Sequence, residues 1–246
     1  MLWPLTGPVR GRGAHSFKLP RGGGEVSRGW AATTADFSAL VRNGISQTQC
    51  LILSFQGILS EEPLYDPKIL ERLDFNKVRS KFNPPVSAVR PGEGLRVRPL
   101  RRADFHRGFL QLLSQLTAVG DVSEEQFLKR FDAMQSCPNT YYVTVIEDTT
   151  NGQVIGSSTL VIEQKFIHGC AVRGRLEDVV VNNTYRGKQL GKLIIMTVTL
   201  LAEELNCYKM TLDCKDNLIP LYSSLGYFLE KGNSNYMQIR FDKAPS

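Results

Sequence analysis

The sequence predicts an α+β (α/β layered) fold in which helices flank a mixed central β-sheet. Three observations lead to this prediction. The runs "TYYVTVIED" (140–148) and "VRGRLEDVVVNN" (172–183) are rich in the β-branched and aromatic residues typical of strands. The Asn-Gly pair in "TTNGQ" (149–153) indicates a hairpin turn between antiparallel strands. The apolar run "LIIMTVTLLA" (193–202) predicts a helix over about 188–205 that crosses between strands.

The first elements along the chain are short. The stretch "EEPLYDPKILERLDF" carries a short helix signal with Pro67 near its start. The stretch "NPPVSAVRPGEG" (83–94) is typical of a turn-rich linker. "GLRVRPLRRADF" then alternates as a first strand does, with Arg96 and Arg98 on one side and the apolar residues on the other.

Two helices, three long strands and a short strand complete the predicted layer. We expect Asp104 to cap a helix from Phe105 to about Leu116, and Ser123 with Gln126 to form a capping box for a second helix, 124–135. The run "VIGSSTLVIEQKF" predicts the strand that returns from the hairpin, and "YKMTLDC" (208–214) predicts a short strand. A helical turn is predicted in "NLIPLYSSLGYF", and a final strand in "YMQIRF" (236–241). The predicted order is βααβββαβαβ, and one domain over 95–243 is enough to contain it.

The amino-terminal part has a different composition. Residues 1–58 carry six Lys and Arg against two acidic residues, and "GPVRGRGAHSFKLPRGGGEVSRGW" has neither helical nor strand periodicity. We therefore predict that 1–60 is a disordered or targeting leader, with an upstream extension of the gene model as the alternative. Residues 61–94 are predicted to form a helix and linker that pack on the domain.

Composition excludes several classes of protein. No apolar run reaches the roughly 18 residues of a spanning helix, so no transmembrane segment is predicted. Five cysteines without CxxC spacing argue for thiols in a reducing compartment and against a zinc site. The net charge of +6 lies mostly in the leader, so no nucleic-acid partner is predicted. The predicted location is the cytoplasm, with a peripheral position on internal membranes and an organelle-targeted form as alternatives.

The loop "YRGKQLGKLI" (185–194) is the strongest functional signal. It is not a P-loop, because Leu193 stands where Ser or Thr should bind magnesium. It resembles the Arg/Gln-x-x-Gly-x-Gly/Ala pyrophosphate motif of the GCN5-related N-acetyltransferases, although Gln189 stands at the first glycine. Free backbone N–H groups and the helix dipole attract an anion at such a helix start. A well-capped surface helix with solvated lysines is the alternative interpretation.

The resemblance extends to a narrower family. The stretches "KFIHGCAVRGRLEDVVVNNTYRGKQLGKLI", "LNCYKMTLDC" and "YMQIR" together resemble the glucosamine-phosphate N-acetyltransferases, over roughly 62–243. This resemblance implies the GCN5-related N-acetyltransferase fold, acetyl-CoA as co-substrate and glucosamine 6-phosphate as acceptor. The product, N-acetylglucosamine 6-phosphate, would serve UDP-N-acetylglucosamine synthesis. The resemblance also implies a homodimer in which both chains contribute to each sugar site.

The same resemblance implies which residues bind the two substrates. Acetyl-CoA would be held by the strand before the loop, by the loop and by two later residues: Val179, Val180, Val181, Arg186, Gly187, Lys188, Gln189, Leu190, Gly191, Lys192, Asn217 and Tyr222. Leu218 takes the place of a family asparagine, which leaves Asn217 one residue early. The sugar phosphate would be held by hydroxyl, cationic and acidic side chains and their neighbours: Thr117, Lys165, Phe166, Ile167, His168, Glu177, Asp178, Val179, Lys209 and Arg240.

The implied chemistry is direct attack of the sugar amine on the thioester, without an acyl-enzyme. Tyr222 would protonate the leaving thiolate. Glu177 with Asp178 would bind the sugar hydroxyls and the amine, and Glu177 would draw off a proton through water. A backbone N–H near Val179 or Val180 would polarise the carbonyl. The alternatives are an acetyltransferase for another amine such as a protein lysine, a non-catalytic acetyl-CoA-binding module, and an RNA-binding protein that uses the leader.

Overall fold

A computed structural model describes residues 61–78, 80–185, 187–232 and 236–239. The predicted leader, 1–60, lies outside the described residues, and so do Arg186 and Arg240. Both arginines belong to the predicted site, the first to the acetyl-CoA loop and the second to the sugar-phosphate set.

The described residues contain one mixed sheet with the strand order β1-β2-β3-β4-β5. Its strands are β1 Leu95–Pro99, β2 Tyr141–Asp148, β3 Gln153–Gln164, β4 Val172–Val181 and β5 Cys207–Thr211. Neighbouring strands from β1 to β4 are antiparallel, whereas β4 and β5 are parallel. The predicted mixed sheet of an α+β fold is therefore confirmed.

Helices cover both faces of this sheet. They are α1 Lys68–Glu71, α2 Phe109–Leu113, α3 Glu124–Gln135, α4 Leu190–Glu204 and α5 Ile219–Ser224. The apolar helix α4 packs on one face with Ile146, Leu160 and Leu176. On the other face, residues of α2 and α3 pack with Val143 and Val180. Residues 172–181 thus contribute side chains to both cores, which holds β4 firmly at the centre of the layer.

Helix α3 begins where its capping signal predicts. The Ser123 hydroxyl accepts a hydrogen bond from the Gln126 N–H at 3.2 Å, and the Gln126 side chain accepts one from the Ser123 N–H at 2.9 Å. This reciprocal arrangement satisfies two of the N–H groups that a helix start leaves free. Phe127 and Phe131 are buried and attach the helix to the core.

The predicted helix from Phe105 to Leu116 is wrong in its extent. A 3-10 turn, Arg102–Phe105, comes first, and Gly108 at φ 79° separates it from the shorter helix α2. A left-handed residue ends one helical run before the next begins, which is why one continuous helix does not form. Asp104 does not cap an α-helix; it is fully buried and binds the Arg98 guanidinium.

The predicted final strand at 236–241 is absent from the part of it that the structure describes. Residues 236–239 have no regular secondary structure, and 240–241 lie outside the described residues. Tyr236, Met237 and Ile239 are exposed instead of paired. A strand requires a hydrogen-bonded neighbour, and sequence propensity alone does not supply one.

The segment before the first strand packs against the sheet layer. Leu70 of α1 and Ala88 are each 4% exposed and belong to the same core cluster as α4. The Leu64 N–H donates to the Leu100 carbonyl at 2.8 Å. The contacts of this segment therefore reach both β1 and the helix that follows the glycine loop.

Candidate active site

Strand β4 loses its neighbour half-way along. It pairs with β5 only through Val172, Gly174 and Arg175, whereas residues 176–181 have no strand partner on that side among the described residues. The opposite edge of β4 stays paired with β3. The two parallel strands therefore separate and leave a row of backbone groups free for an added strand-like ligand.

The glycine loop lies at the end of this unpaired half. A 3-10 turn, Asn183–Tyr185, follows β4, and Gly187 and Gln189 have φ angles of 81° and 58°. Helix α4 then begins at Leu190 without a side-chain cap. A Cβ atom added at Gly187 or Gly191 would meet no heavy atom within 4 Å. The loop thus combines uncapped N–H groups with open space, as an anion site at a helix start requires.

The lysines of the loop take different positions. Lys188 is exposed, with its ammonium 5.1 Å from the centre of the Tyr185 ring. Lys192 donates a hydrogen bond to the Lys81 carbonyl. The Lys188 ammonium contacts an aromatic ring, whereas the Lys192 ammonium is held by a backbone carbonyl, so the two lysines do not play the same part in the loop.

A contact with the β2–β3 hairpin anchors the start of the loop, and sequence reasoning missed it. The Tyr185 hydroxyl donates to the Asp148 carboxylate, which also accepts from the Thr150 N–H at 2.9 Å and hydroxyl at 2.6 Å. The hydrogen bond from Thr150 has the largest effect on the pKa of Asp148, and the one from Tyr185 the next largest. Both hold that pKa below its usual value. The carboxylate therefore stays ionised and fixes the ring of Tyr185 beside Lys188.

Tyr222 lies in a cleft of about 670 Å³ next to β5. Its side chain is 8% exposed, and its ring packs edge-on against Tyr227 at 5.7 Å. Burial raises the pKa of Tyr222 above its usual value, so the hydroxyl keeps its proton at neutral pH. Lys209 and Arg175 also line this cleft. The predicted proton donor and one predicted sugar cation are thus brought together.

The acidic pair Glu177 and Asp178 has two distinct environments. The Arg175 guanidinium donates to the Glu177 carboxylate and to Asp213. Asp178 occupies a bulge in β4 at φ 51°, where the register with β3 shifts. Desolvation of its carboxyl and then the nearby Glu177 charge raise the pKa of Asp178, although the residue as a whole remains accessible. Burial therefore favours the protonated form of Asp178, whereas the Glu177 carboxylate is tied to the Arg175 guanidinium.

Among the described sugar candidates, Thr117, Lys165, Phe166, Ile167 and His168 do not line the Tyr222 cleft. Lys165 pairs with Glu163 at 2.7 Å, and His168 stacks on Tyr208 at 4.9 Å in a distorted turn, Ile167–Cys170. Phe166 is 96% exposed. Thr117 is exposed in the loop after α2, and the structure shows no contact that joins it to Tyr222.

One acetyl-CoA candidate, Asn217, lies between β5 and the helix that carries Tyr222. Asn217 is in the 3-10 turn Asp216–Leu218, directly before the helix that carries Tyr222, and it is exposed. Val179 packs against the α4 core and Val180 is 7% exposed. The side chains of the β4 valines are thus occupied by core contacts, which leaves their backbone to face a ligand.

Comparison with known proteins identifies the fold and the family. The model of the Acetyltransferase (GNAT) family matches residues 107–227. A Drosophila melanogaster protein named probable glucosamine 6-phosphate N-acetyltransferase is 62% identical over 190 residues, covering 76% of this chain and 86% of the relative. The Arabidopsis thaliana glucosamine 6-phosphate N-acetyltransferase is 37% identical over 134 residues, covering 54% of this chain and 90% of the relative. The chain belongs to the glucosamine 6-phosphate N-acetyltransferase family.

Solved structures agree with this family assignment. The crystal structure of the Arabidopsis thaliana enzyme of this name superposes with a TM-score of 0.58 at 35% identity, and covers 61% of this chain and 100% of its own. A Trypanosoma brucei acetyltransferase gives a TM-score of 0.53 at 31% identity, with 60% and 99% covered. The GNAT fold that the glycine loop predicted is therefore confirmed for this member of the family.

The described part of this family member shows neither a metal cluster nor a membrane span. No group of three or more His, Cys, Asp or Glu side chains there is placed to hold a metal ion. No helix among the same residues is long and apolar enough to cross a membrane. Acetyl-CoA is the co-substrate of the GNAT acetyltransferases.

Proposed function

We propose that this chain transfers the acetyl group of acetyl-CoA to the amine of glucosamine 6-phosphate, giving N-acetylglucosamine 6-phosphate and CoA. The observation that carries the proposal is the 62% identity to the Drosophila protein of that name over 86% of its length. The separation of β4 from β5 beside an uncapped helix start supports it, because a nucleotide thioester needs both features.

Acetyl-CoA binds along the unpaired half of β4. The pantetheine arm takes the place of a neighbouring strand against residues 176–181, and the diphosphate lies on the first turn of α4. Lys188 adds positive charge near that turn. Arg186 completes the loop motif, and a backbone N–H of Val179 or Val180 donates to the thioester carbonyl as negative charge develops there.

The amine attacks the thioester carbon, and its proton must leave. Asp178 takes that proton, directly or through one water, because its raised pKa brings a carboxylate closer to a useful base. Glu177, which is tied to Arg175, orients the acceptor instead. This division changes the sequence-based expectation that Glu177 draws off the proton.

Collapse of the tetrahedral intermediate breaks the C–S bond, and the thiolate of CoA needs a proton. Tyr222 supplies it, since its hydroxyl is protonated at neutral pH and lies in the cleft next to β5. Together the two steps move one proton from the amine to the enzyme and one from the enzyme to sulfur. Solvent then returns both groups to their starting states.

The sugar phosphate is bound by cations at the edge of the sheet. Lys165, His168, Lys209 and Arg240 form this set, and Thr117 with residues 166–167 contributes to the surrounding surface. Because Lys209 lines the Tyr222 cleft whereas Lys165 and His168 do not, the phosphate pocket needs a further surface to bring the cations together.

A second copy of the chain supplies that surface. Large apolar side chains are exposed in a run near the carboxyl end: Phe228 84%, Leu229 61%, Tyr236 69%, Met237 89% and Ile239 76%. β5 is an edge strand of the described sheet, and an unpaired edge beside exposed apolar residues favours strand addition from another chain. We therefore infer a homodimer in which the segment from 228 onward packs on the partner.

The reaction is placed in the cytoplasm. The four described cysteines, Cys137, Cys170, Cys207 and Cys214, are free thiols, as expected in a reducing compartment.

A product assay tests the activity. The purified chain is incubated with acetyl-CoA and glucosamine 6-phosphate, glucosamine or a lysine peptide, and CoA release is followed with a thiol reagent. We expect turnover with glucosamine 6-phosphate far above that with either other amine. Turnover with the lysine peptide alone would refute the assigned acceptor, and acetyl-CoA binding without turnover would indicate a binding module.

Sedimentation tests the dimer. The wild-type chain should sediment as a dimer, and Met237→Glu should shift it towards the monomer and raise the KM for glucosamine 6-phosphate. Lys129→Glu, at an exposed position of α3 outside this segment, is the matched surface change. A monomeric wild type with full activity would contradict the shared site.

A further inference from the structure

Residues 80–84, which we call the strap, lie directly against the glycine loop. The strap precedes the first strand of the sheet, more than 100 residues before the loop in sequence. The Gln189 amide holds its backbone at two points: it donates to the Asn83 carbonyl at 2.6 Å and accepts from the Asn83 N–H at 3.2 Å. A paired contact of this kind fixes the orientation of both groups, as between neighbouring strands.

Lys192 makes the second connection to the strap. Its ammonium donates to the Lys81 carbonyl and lies 4.4 Å from the centre of the Phe82 ring. Phe82 is half-buried against the α4 core and lies 6.3 Å from Phe75. The first turn of α4 is therefore joined to the strap through both its N-cap residue and its third residue.

Gln189 is unusual in its backbone as well as its side chain. Its φ of 58° is left-handed, a conformation that glycine adopts much more readily than a residue with a side chain. A side chain in that conformation is disfavoured unless its surroundings compensate. The two hydrogen bonds to Asn83 supply that compensation, which gives a physical reason for glutamine at a glycine position.

The same residue also starts the helix. The Gln189 carbonyl accepts the first helical hydrogen bond, from the Leu193 N–H at 2.9 Å. A displacement of Gln189 would therefore turn the free N–H groups of the first turn, to which the proposed diphosphate binds. Lys192 is likewise held beside that turn instead of extending into solvent.

We propose that the strap is a wall of the acetyl-CoA site, and that Gln189 and Lys192 are positioning residues that hold the diphosphate loop against it. This inference rests on the proposed function, because it assigns the loop to acetyl-CoA. It differs from a purely structural docking of the amino-terminal segment, which has separate contacts at the far end of α4. Lys77 pairs there with Glu203 at 2.8 Å, and Arg72 with Glu204 at 2.9 Å.

These far contacts provide the matched control. Gln189→Gly keeps the left-handed backbone and removes both hydrogen bonds to the strap, whereas Lys77→Ala removes a contact of the same segment away from the loop. Acetyl-CoA affinity is measured by calorimetry on the full chain without sugar. We expect Gln189→Gly to weaken it by roughly three- to tenfold, the loss of one to two net hydrogen bonds. Lys77→Ala should leave it unchanged, and both variants should keep the wild-type KM for glucosamine 6-phosphate.

Proteolysis gives a readout independent of activity. Acetyl-CoA should slow tryptic cleavage after Lys81 in the wild-type chain, followed by mass spectrometry, and should protect Gln189→Gly much less. If Gln189→Gly kept both the wild-type affinity for acetyl-CoA and the wild-type protection from cleavage after Lys81, the inference about the strap would be overturned and the proposed function would stand. An equal loss in Lys77→Ala would also overturn the inference, because the strap would then act only by docking its segment. Absence of acetyl-CoA binding by the wild type would overturn the proposed function together with the inference.

Discussion

At the scale of single residues, Tyr222 and Tyr227 show how similar side chains acquire different roles. Both rings are largely buried and pack against each other. The Tyr227 hydroxyl hydrogen-bonds the Thr199 hydroxyl at 2.7 Å, which satisfies it within the protein. No protein partner of the Tyr222 hydroxyl is recorded among the described residues, and this residue lines the cleft. A hydroxyl directed to a substrate site is available for proton transfer.

Tyr222→Phe should lower kcat about 10²–10⁴-fold, the usual contribution of a positioned acid. Acetyl-CoA affinity by calorimetry should not change, because the ring is retained. Tyr227→Phe is the control; it should cost about 1 kcal/mol of stability through its lost hydrogen bond and leave kcat nearly intact. Wild-type turnover in Tyr222→Phe would show that water or a slow release step replaces the acid.

The pH profile offers a second check on the same group. Burial raises the pKa of Tyr222 above the usual 10.0, so the acid form persists at higher pH than for a free tyrosine. The alkaline limb of kcat should therefore fall above pH 10.0, if the protein remains folded there. If kcat instead fell near neutral pH, the essential proton would belong to a group other than Tyr222.

Arg98 is a buried charged residue that does not line the Tyr222 cleft. It is 3% exposed and binds Asp104 through two hydrogen bonds of 2.8 Å and Glu147 through one of 2.8 Å. Burial alone would raise the pKa of Glu147, but the Arg98 hydrogen bond and charge outweigh it and hold that pKa below its usual value. The stabilisation that the ionised Glu147 gains from Arg98 is present above pH 4.5, the usual pKa of a glutamate. It is lost as the pH falls through the lower pKa that Glu147 has in the folded protein.

Arg98→Met should destabilise the protein by about 3–5 kcal/mol, because two carboxylates would remain buried without their partner. Denaturant unfolding near neutral pH measures the difference. Arg96→Met is the matched control, since Arg96 is 57% exposed and 3.8 Å from Glu147, and it should cost less than about 1 kcal/mol. Equal effects of the two substitutions would mean that the buried network adds nothing specific.

At the scale of elements, the junction between β4 and α4 concentrates the proposed chemistry. The strand changes from paired to unpaired after Arg175, and the helix starts without a cap after a loop with two left-handed residues. The β2–β3 hairpin fixes this junction from one side through Asp148 and Tyr185. An anion site of this kind depends on the relative placement of a strand and a helix, and not on a single side chain.

Gly191→Val tests that junction. No heavy atom lies within 4 Å of the position of an added Cβ, so the substitution should leave the melting temperature nearly unchanged. A branched side chain would, however, keep the diphosphate from the first turn of α4, and the KM for acetyl-CoA should rise at least roughly tenfold. The KM for glucosamine 6-phosphate is the internal control. If this variant bound acetyl-CoA normally, the loop would be only the start of α4 and would not bind the diphosphate.

At the scale of the whole molecule, the chain combines a domain of known family with an amino-terminal segment, 1–58, of different composition. The residues from 61 onward contain the sheet, both cores and all of the described site. Residues 1–58, with six Lys and Arg against two acidic residues, contribute most of the net charge of +6 and lack the periodicity of a packed core. We therefore expect the fold and the proposed reaction to depend on the residues from 61 onward.

Deletion of residues 1–58 should leave kcat, both KM values and the melting temperature unchanged within error. The physical reason is that the acetyl-CoA and sugar residues, and both buried clusters, lie after residue 60. Steady-state kinetics and thermal unfolding of the truncated and full chains measure this. A loss of kcat or a lower melting temperature on deletion would show that the leader packs on the domain.

The sequence by itself determined those features whose signals are local. The capping box of α3, the Asn-Gly hairpin and the apolar helix α4 each depend on residues a few positions apart, and all three were predicted. The glycine loop and its flanking stretches likewise sufficed to predict the family. The final strand at 236–241 was predicted from propensity alone, which is why its described part proved wrong.

Only the tertiary structure decided which groups meet across long separations. Arg98 is buried because Glu147, 49 residues later, accepts its hydrogen bond, although alternation in β1 predicted only its side of the strand. Lys192 is held at the strap because a carbonyl 111 residues earlier accepts its hydrogen bond. Each such contact depends on the path of the whole chain and on the desolvation that packing imposes. Neither quantity is encoded in the spacing of neighbouring residues.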